Sequence, residues 1–274
     1  MHWIIQGNLD KNEGLKLLID LLVQKNIAHT LVKTIPFSDI VVDINVDVND
    51  YSEEDIPRLK MNEKNVVTFG SYSLALAAKK FGWSPGSFIN ENYEFDKWVK
   101  GWGKENLLNG NAIQGKVKEI ETMIPANWIK VFSRPTEDTK SFAGQVLDVE
   151  DFKYWISKVK SNTDRILDSE TDIVISEVKE IHAEYRLFIV DGKFVTGSLY
   201  KLRDQVTTSE FVPQDVIDYA HDVIKIWNPD KAFVLDIACT PEGHKIIEIN
   251  NINSSGFYKS DISKIIDAIE LIQV

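Results

Sequence analysis

Two stretches near the C-terminal end, "FVLDIAC" and "HKIIEIN", are largely apolar, and Asp236, Glu248 and Asn250 interrupt their aliphatic runs. Read as two strands joined through "CTPEG", they place Asp236 opposite Glu248, with Asn250 further along the same face, because strand side chains alternate between faces. The same alternation groups Lys245, Ile247 and Ile249 on one face of the return strand and Ile246, Glu248 and Asn250 on the other. Two carboxylates brought together in a half-buried place repel each other and desolvate poorly. A hard divalent cation compensates: Mg²⁺ takes about six oxygens, usually only one or two of them protein carboxylates, with water and phosphates supplying the rest. The plainer alternative is the solvent-facing side of an amphipathic hairpin; the aliphatic character of both faces favours the metal. Cys239 falls in the expected turn and reads as structural.

A metal that holds phosphates needs cations beside it. "WIKVFSRPTEDTKSFAGQV" supplies Lys130, Arg134 and Lys140. Lys130 and Arg134 are an even number of residues apart, so a regular strand points both to one side. Pro135 ends that strand and leaves Arg134 at its tip, while Lys140 reaches in from a polar loop. "GSLYKLRD" adds Lys201 and Arg203 on one face of a later strand. Arginine can grip a phosphate through two parallel hydrogen bonds, whereas a lone lysine is more often a solvated surface charge. Neither a GxxxxGK nor a GxGxxG run occurs, which excludes phosphate loops of those kinds.

The elements that must position these residues follow from periodicity. "MHWIIQG", "AHTLVKTI" and "NVVTF" read as strands and "EGLKLLIDLLVQKN" and "SYSLALAAKKF" as helices, with Leu15, Leu18, Ile19 and Leu22 on one helical face. Such alternation predicts a small α/β domain with a mostly parallel sheet, bounded near residue 90 by the turn-rich "FGWSPGSFIN". "NYEFDKWVKGWGKENLL" reads as a helical connector, "ANWIKVFSRP" and "DIVISEVKEI" as strands, and "VEDFKYWISKVK" as an amphipathic helix with Phe152, Trp155, Ile156 and Val159 along one face. "EYRLFIVDGKFVTGSLYKL" is a hairpin about Asp191-Gly192, "SEFVPQDVIDYAHDVIKIW" a helix entered through Pro213, and "KSDISKIIDAIELIQ" a closing helix. Without strict alternation after residue 110, the rest is α+β.

Composition narrows the classes. The chain has 274 residues, 43% hydrophobic, enough for two domains or one elaborate one. With 42 acidic against 31 basic residues and a net charge of -11, a duplex nucleic-acid binder is disfavoured, though a local basic pocket for a small anion is not. One cysteine permits no internal disulfide, which suits a reducing cytoplasm. No signal-peptide pattern and no apolar window of about 18 residues is present, so neither secretion nor a membrane partner is expected.

Taken in order, these motifs resemble the ATP-grasp superfamily over roughly residues 110–274, with a small α/β domain in front. The resemblance implies an α+β ATP-grasp fold of two subdomains holding a nucleotide between them. The expected division is 1–95 for the leading domain and 96–274 for the ATP-grasp domain, with subdomains at about 110–177 and 178–274. "VLDIACTPEGHKIIEIN" resembles the family's metal-binding element, so that Asp236, Glu248 and Asn250 would hold one or two Mg²⁺, or Mn²⁺, on ATP phosphates. "VISEVKEIHAEYRLFIV" resembles the hinge, in which Glu177 receives the adenine amino group, Val178 completes the adenine contacts through its backbone and Glu184 takes the ribose hydroxyls. Most members carry Lys-Pro at the end of the central strand. Here the pair is Arg134-Pro135, with Lys140 following, an arrangement similar to a distinct branch that also shows "KSFAGQV", "EYRLFIV" and "GSLYK".

The implied activity is a carboxylate–amine ligase (or carboxylate–thiol ligase) acting through an acyl phosphate on a small-molecule, peptide or protein substrate. Lys130, Arg134, Lys140 and Lys201 are then phosphate contacts; Arg134, Lys140, Arg186 and Arg203 are candidates for stabilising the transfer; and Ser254, Ser255, Gly256 and Tyr258 are candidates for the substrate. Such chemistry is positioning and electrostatics and needs no protein nucleophile. Asp236→Asn is expected to abolish turnover and leave the fold intact. The alternatives are a non-catalytic nucleotide-binding protein that has kept the fold and, less favoured for want of histidines, a metal-dependent hydrolase.

Overall fold

In the computed structural model, which describes residues 1–9, 13–35, 38, 40–52, 54–60, 64–88, 94–136, 142–161 and 167–273, the chain builds three β-sheets in succession. The first comprises β1 (His2–Gln6), α1 (Glu13–Gln24), β2 (His29–Thr34), β3 (Val41–Asp43), β4 (Lys64–Phe69), α2 (Tyr72–Lys80) and β5 (Ser84–Gly86). Its order is β3-β2-β1-β4-β5, parallel throughout except for the antiparallel β2–β3 pair. β3 and β5 are too short to show a period, so the segment expected as a bounding turn supplies an edge strand instead.

The second unit runs through α3 (Phe95–Trp102), β6 (Ile113–Lys116), α4 (Val117–Ile120), β7 (Lys130–Pro135), β8 (Gln145–Asp148), α5 (Val149–Lys160) and β9 (Asp172–Glu177). Its sheet is antiparallel, in the order β6-β9-β7-β8. Alternation along β7 turns Val131 toward α5, where it meets Phe152 and Ile156, and leaves Phe132 and Arg134 on the opposite face.

The third unit comprises β10 (Ala183–Val190), β11 (Lys193–Leu202), β12 (Gln205–Ser209), α6 (Gln214–Ile226), β13 (Ala232–Thr240), β14 (Gly243–Asn250) and α7 (Ile262–Glu270). The antiparallel order is β12-β11-β10-β13-β14. Asp191 and Gly192 take positive φ at the β10–β11 turn, as a two-residue hairpin requires. On one face Leu187, Phe233 and Leu235 pack under Val216 and Ala220 of α6. On the other, Phe188 and Val234 pack under Ile262 and Ile266 of α7, and Glu184, Arg186 and Asp236 continue the same parity.

α7 also contacts Leu15, Leu18 and Leu22 of α1, so the first and third sheets share one core. Asn253, 3% exposed, fastens the seam: its side chain donates to the Thr68 carbonyl and accepts from Phe88 N–H, and its own carbonyl accepts from Gly70 N–H. No helix among the described residues is long and apolar enough to cross a membrane.

Two details of the acidic hairpin differ from strict alternation. The turn is Pro241-Glu242, closed by the Thr240–Gly243 pair, so Cys239 belongs to β13 and not to the turn. The register holds Asp236 opposite Glu248 but then pairs Ile237 with Ile246, leaving Ile247 as the extra residue of a bulge. Ile246 therefore joins Ile249 in the core, whereas Ile247 turns outward beside Glu248.

Candidate active site

A cavity of about 270 Å³ opens between the second and third sheets. Phe132 and Arg134 reach it from β7, Glu177–Lys179 border it at the end of β9, and Glu184, Lys201, Ile247 and Glu248 enter from the third sheet. A larger cavity of about 480 Å³ lies on the other side of the Leu107–Asn109 segment, which lines both. It meets none of Arg134, Glu184, Arg186, Asp236 or Glu248, whereas Arg134, Glu184 and Glu248 line the smaller one.

Beside Glu248, which lines the cavity, the three hairpin side chains meet, with the Asn250 amide nitrogen between the two carboxylates. Asn250 Nδ2 lies 3.1 Å from Asp236 Oδ2 and 3.1 Å from Glu248 Oε1. Arg134 Nη1 stands 4.0 Å from Glu248 Oε2. Its guanidinium lies over Trp98, 4.6 Å from the ring centroid, and 5.7 Å from Phe95, so α3 holds the cation in an aromatic corner. Asp236, 1% exposed, receives two parallel bonds from Arg186: Nε to Oδ1 at 2.9 Å and Nη2 to Oδ2 at 2.7 Å. Burial pushes the Asp236 carboxyl up to about 6 against the pull of Arg186. Burial also opposes the Arg186 charge, but Asp236 outweighs it and holds the guanidinium above its ordinary pKa.

In the same lining as Glu177–Lys179, Glu184 is 7% exposed and held from both oxygens. Lys201 Nζ meets Oε1 at 2.8 Å and Tyr200 donates to Oε2 at 2.6 Å. The register skips a residue there, pairing Glu184 with Lys201 and Tyr185 with Leu199, and the resulting bulge lets consecutive residues reach one carboxylate. Burial, then the Asp236 and Glu184 charges, raise the Tyr200 hydroxyl far above the usual phenol range, so it stays a donor. Tyr200 also stacks on Tyr258 with centroids 5.2 Å apart, and the Arg186 guanidinium lies 5.5 and 5.2 Å from the two rings.

The remaining candidates divide. Glu177 and Val178 border the cavity, and Lys179 bonds Glu177 at 2.9 Å. Arg203 borders it too, not from a strand as expected but from the β11–β12 turn with φ 52. Lys130 stands exposed at the far end of β7 and does not reach the cavity. Lys140 lies outside the described residues. Ser255 is buried against the Asn251 carbonyl at 2.7 Å, and Ser254 is exposed. Gly256 offers its carbonyl to Arg186 Nη1 at 3.5 Å. A Cβ on Gly256 would meet only that nitrogen, at 4.0 Å, so the space before it is open.

Among the described residues no three His, Cys, Asp or Glu side chains gather for a metal ion. The donor set that does fit one is two carboxylates and an amide: a half-turn of the Asn250 amide would exchange Nδ2 for Oδ1 beside both carboxylates. The Trp98 corner, the Tyr200 bond and the Arg186–Asp236 pair escape the sequence reading. The available signal was Arg186 itself, a charge inside aliphatic "YRLFIV" that shares parity with Glu184.

The model of the ATP-grasp domain, R₂K clade family 3, matches residues 45–269. No curated protein matches the sequence. Among solved structures, a RimK domain ATP-grasp protein from Sphaerobacter thermophilus DSM 20745 superposes with a TM-score of 0.66 at 11% identity, covering 99% of this chain and 100% of the other. The ATP-grasp ligase PsnB, complexed with precursor peptide PsnA2 and AMPPNP, gives 0.58 at 10% identity over 98% and 95% of the two chains. D-alanine–D-alanine ligase from Bacillus anthracis gives 0.56 at 12% identity over 98% and 91%. At such identities the likeness shows the fold: an α+β ATP-grasp fold preceded by a small α/β unit.

Proposed function

The chain belongs to the ATP-grasp domains of R₂K clade family 3, and from that premise we propose that it is an ATP- and Mg²⁺-dependent ligase joining a carboxylate to an amine. The observation that carries this reading is the meeting of Asp236, Asn250 and Glu248, the last of which lines a cavity that Glu177–Lys179 also line. A nucleoside triphosphate laid in that cavity puts its base against Glu177–Lys179, its ribose at Glu184 and its phosphates between Arg134 and Lys201. In this reading residues 1–95 form the leading domain, 96–274 the ATP-grasp domain, and the subdomains divide near residue 177. Arg134 takes the place of the lysine usual in the superfamily, with Lys140 as its companion.

Glu248, Asn250 and Asp236 would hold Mg²⁺, which when bound offsets the charge of the transferring phosphoryl group. Arg134, steadied on Trp98, and Lys201, steadied on Glu184, neutralise the phosphates from the two sheets. Arg186 would face the departing γ-phosphoryl, and Tyr258 and the open face of Gly256, which lie next to it, would form the acceptor side. The carboxylate takes the γ-phosphoryl to give ADP and an acyl phosphate; the amine then displaces phosphate, losing its proton, to leave an amide. Binding of precursor peptide by PsnB and the amino-acid chemistry in the name of D-alanine–D-alanine ligase make a peptide and an amino acid the first substrates to try.

Calorimetry with ATP and Mg²⁺ followed by assays of ADP and phosphate release against mixed amino acids and peptides tests the proposal. Saturable, Mg²⁺-dependent binding and substrate-stimulated release are expected. Binding with no release across the panel favours a nucleotide-binding protein without catalysis; no binding ends the reading.

A further inference from the structure

The proposed function asks Asp236 to hold a divalent ion, yet its carboxylate already holds a different cation, Arg186. Its carboxylate is nearly inaccessible, at 1% exposure, and both oxygens already receive Arg186, with Asn250 adding a further donor to Oδ2. A bidentate guanidinium satisfies the charge of a buried carboxylate in the way a divalent ion would. The two cations therefore compete for one anion. Glu248, by contrast, keeps its side chain 37% exposed, with Arg134 only at 4.0 Å.

We propose that Arg186 is the resident counter-ion of Asp236, and that the incoming nucleotide must draw it away before a divalent ion can take that carboxylate. This rests on the ligase reading of the same site. Phosphate oxygens are the natural competitor, since they too accept two parallel bonds from a guanidinium. The fold gives the released charge somewhere to stay. Tyr200 and Tyr258 stack on each other, and the guanidinium carbon already lies 5.5 and 5.2 Å from their centroids. The Gly256 carbonyl accepts from Nη1, the nitrogen that Asp236 does not use. Arg186 can thus turn from carboxylate to phosphate while one side of it stays held. The consequence is an order of binding: metal arrives with nucleotide, not ahead of it. Arg186 acts here as a positioning residue for the metal.

The test is Mn²⁺ binding to the intact protein, counted from the free-ion electron paramagnetic resonance signal, with and without AMPPNP. The wild type is expected to bind Mn²⁺ weakly alone and strongly with AMPPNP. Arg186→Met removes the competitor and is expected to bind Mn²⁺ alone about tenfold more tightly than wild type at pH 8, although its turnover is lost. A merely structural role for Arg186 predicts the opposite direction. Should Arg186→Met not fold, as judged by near-ultraviolet circular dichroism, Arg186→Lys keeps a charge without the bidentate grip and is expected to fall between the two. Equal or weaker Mn²⁺ binding in the folded variant overturns the counter-ion role and leaves the ligase reading standing. Absence of Mn²⁺ binding to wild type and variant, even with AMPPNP, overturns both.

Discussion

Tyr200 and Lys201, adjacent in β11, grip one carboxylate from both oxygens: Tyr200 Oη lies 2.6 Å from Glu184 Oε2 and Lys201 Nζ 2.8 Å from Oε1. The bulge that makes this possible ties the ribose end of the proposed site to its phosphate end, because the Tyr200 ring also lies against Arg186. Glu184→Gln replaces one acceptor oxygen by a donor facing Lys201 or Tyr200. ATP affinity measured by calorimetry is expected to fall about tenfold, roughly one charged hydrogen bond. Unchanged affinity in a folded protein would remove Glu184 from nucleotide binding.

Trp98 touches the nucleotide in no part of this scheme, yet it should govern ATP affinity through Arg134. Trp98→Leu removes the ring under the guanidinium at 4.6 Å. A loss of about 0.5–2 kcal/mol in ATP binding is expected from the cation–π contact. The same variant should lose stability by packing, so binding is read below the variant's own unfolding temperature. Full affinity in Trp98→Leu would show that the corner does not orient Arg134 for phosphate.

The metal set is better tested at Glu248 than at Asp236. Asp236→Asn was expected from the sequence to spare the fold, but it halves the partnership of a buried guanidinium and should destabilise by up to about 3 kcal/mol. Glu248 is partly exposed and its replacement by Gln leaves Arg186–Asp236 in place. Glu248→Gln is expected to keep the wild-type melting temperature and lose Mg²⁺-dependent ATP turnover. Retained turnover would exclude it as a ligand.

Gly256→Ala separates protein packing from ligand approach. Its new Cβ meets no protein atom nearer than 4.0 Å, so unfolding free energy should stay within about 0.5 kcal/mol. If the acceptor passes over this residue, substrate-stimulated ADP release falls while ATP affinity holds. Wild-type release with every accepted substrate would move the acceptor path elsewhere.

Cys239 should be an unreactive thiol at neutral pH. Burial, and then the Asp215 charge, push it from 9.0 up to about 11. Its Sγ lies 3.3 Å from His244 Nδ1. A raised pKa means that the folded protein binds this proton more tightly than the unfolded chain. Stability from this group is complete below about pH 9 and declines as pH rises towards 11. Iodoacetamide labelling at pH 7.5, followed by mass spectrometry, is expected to be slow in the folded protein and fast in urea; equal rates would contradict the shift.

Much of this molecule was written in local pattern. Period and turn chemistry place β1, α1, β4, α2, α5, the Asp191-Gly192 hairpin, α6 and α7, because each buries an apolar stripe whose spacing is set by its own geometry. Parity along two strands, with one short turn between them, likewise predicts that Asp236, Glu248 and Asn250 meet. What the sequence could not determine lies where that regularity breaks or where distant strands pair. Bulges at Tyr200 and Ile247 shift faces by one residue, and nothing local announces them. The Arg186–Asp236 pair depends on the β10–β13 register, and the Arg134–Trp98 contact on where α3 lies against the second sheet. Those partners are fixed by long-range packing of whole elements, which chooses among registers that alternation alone leaves equal.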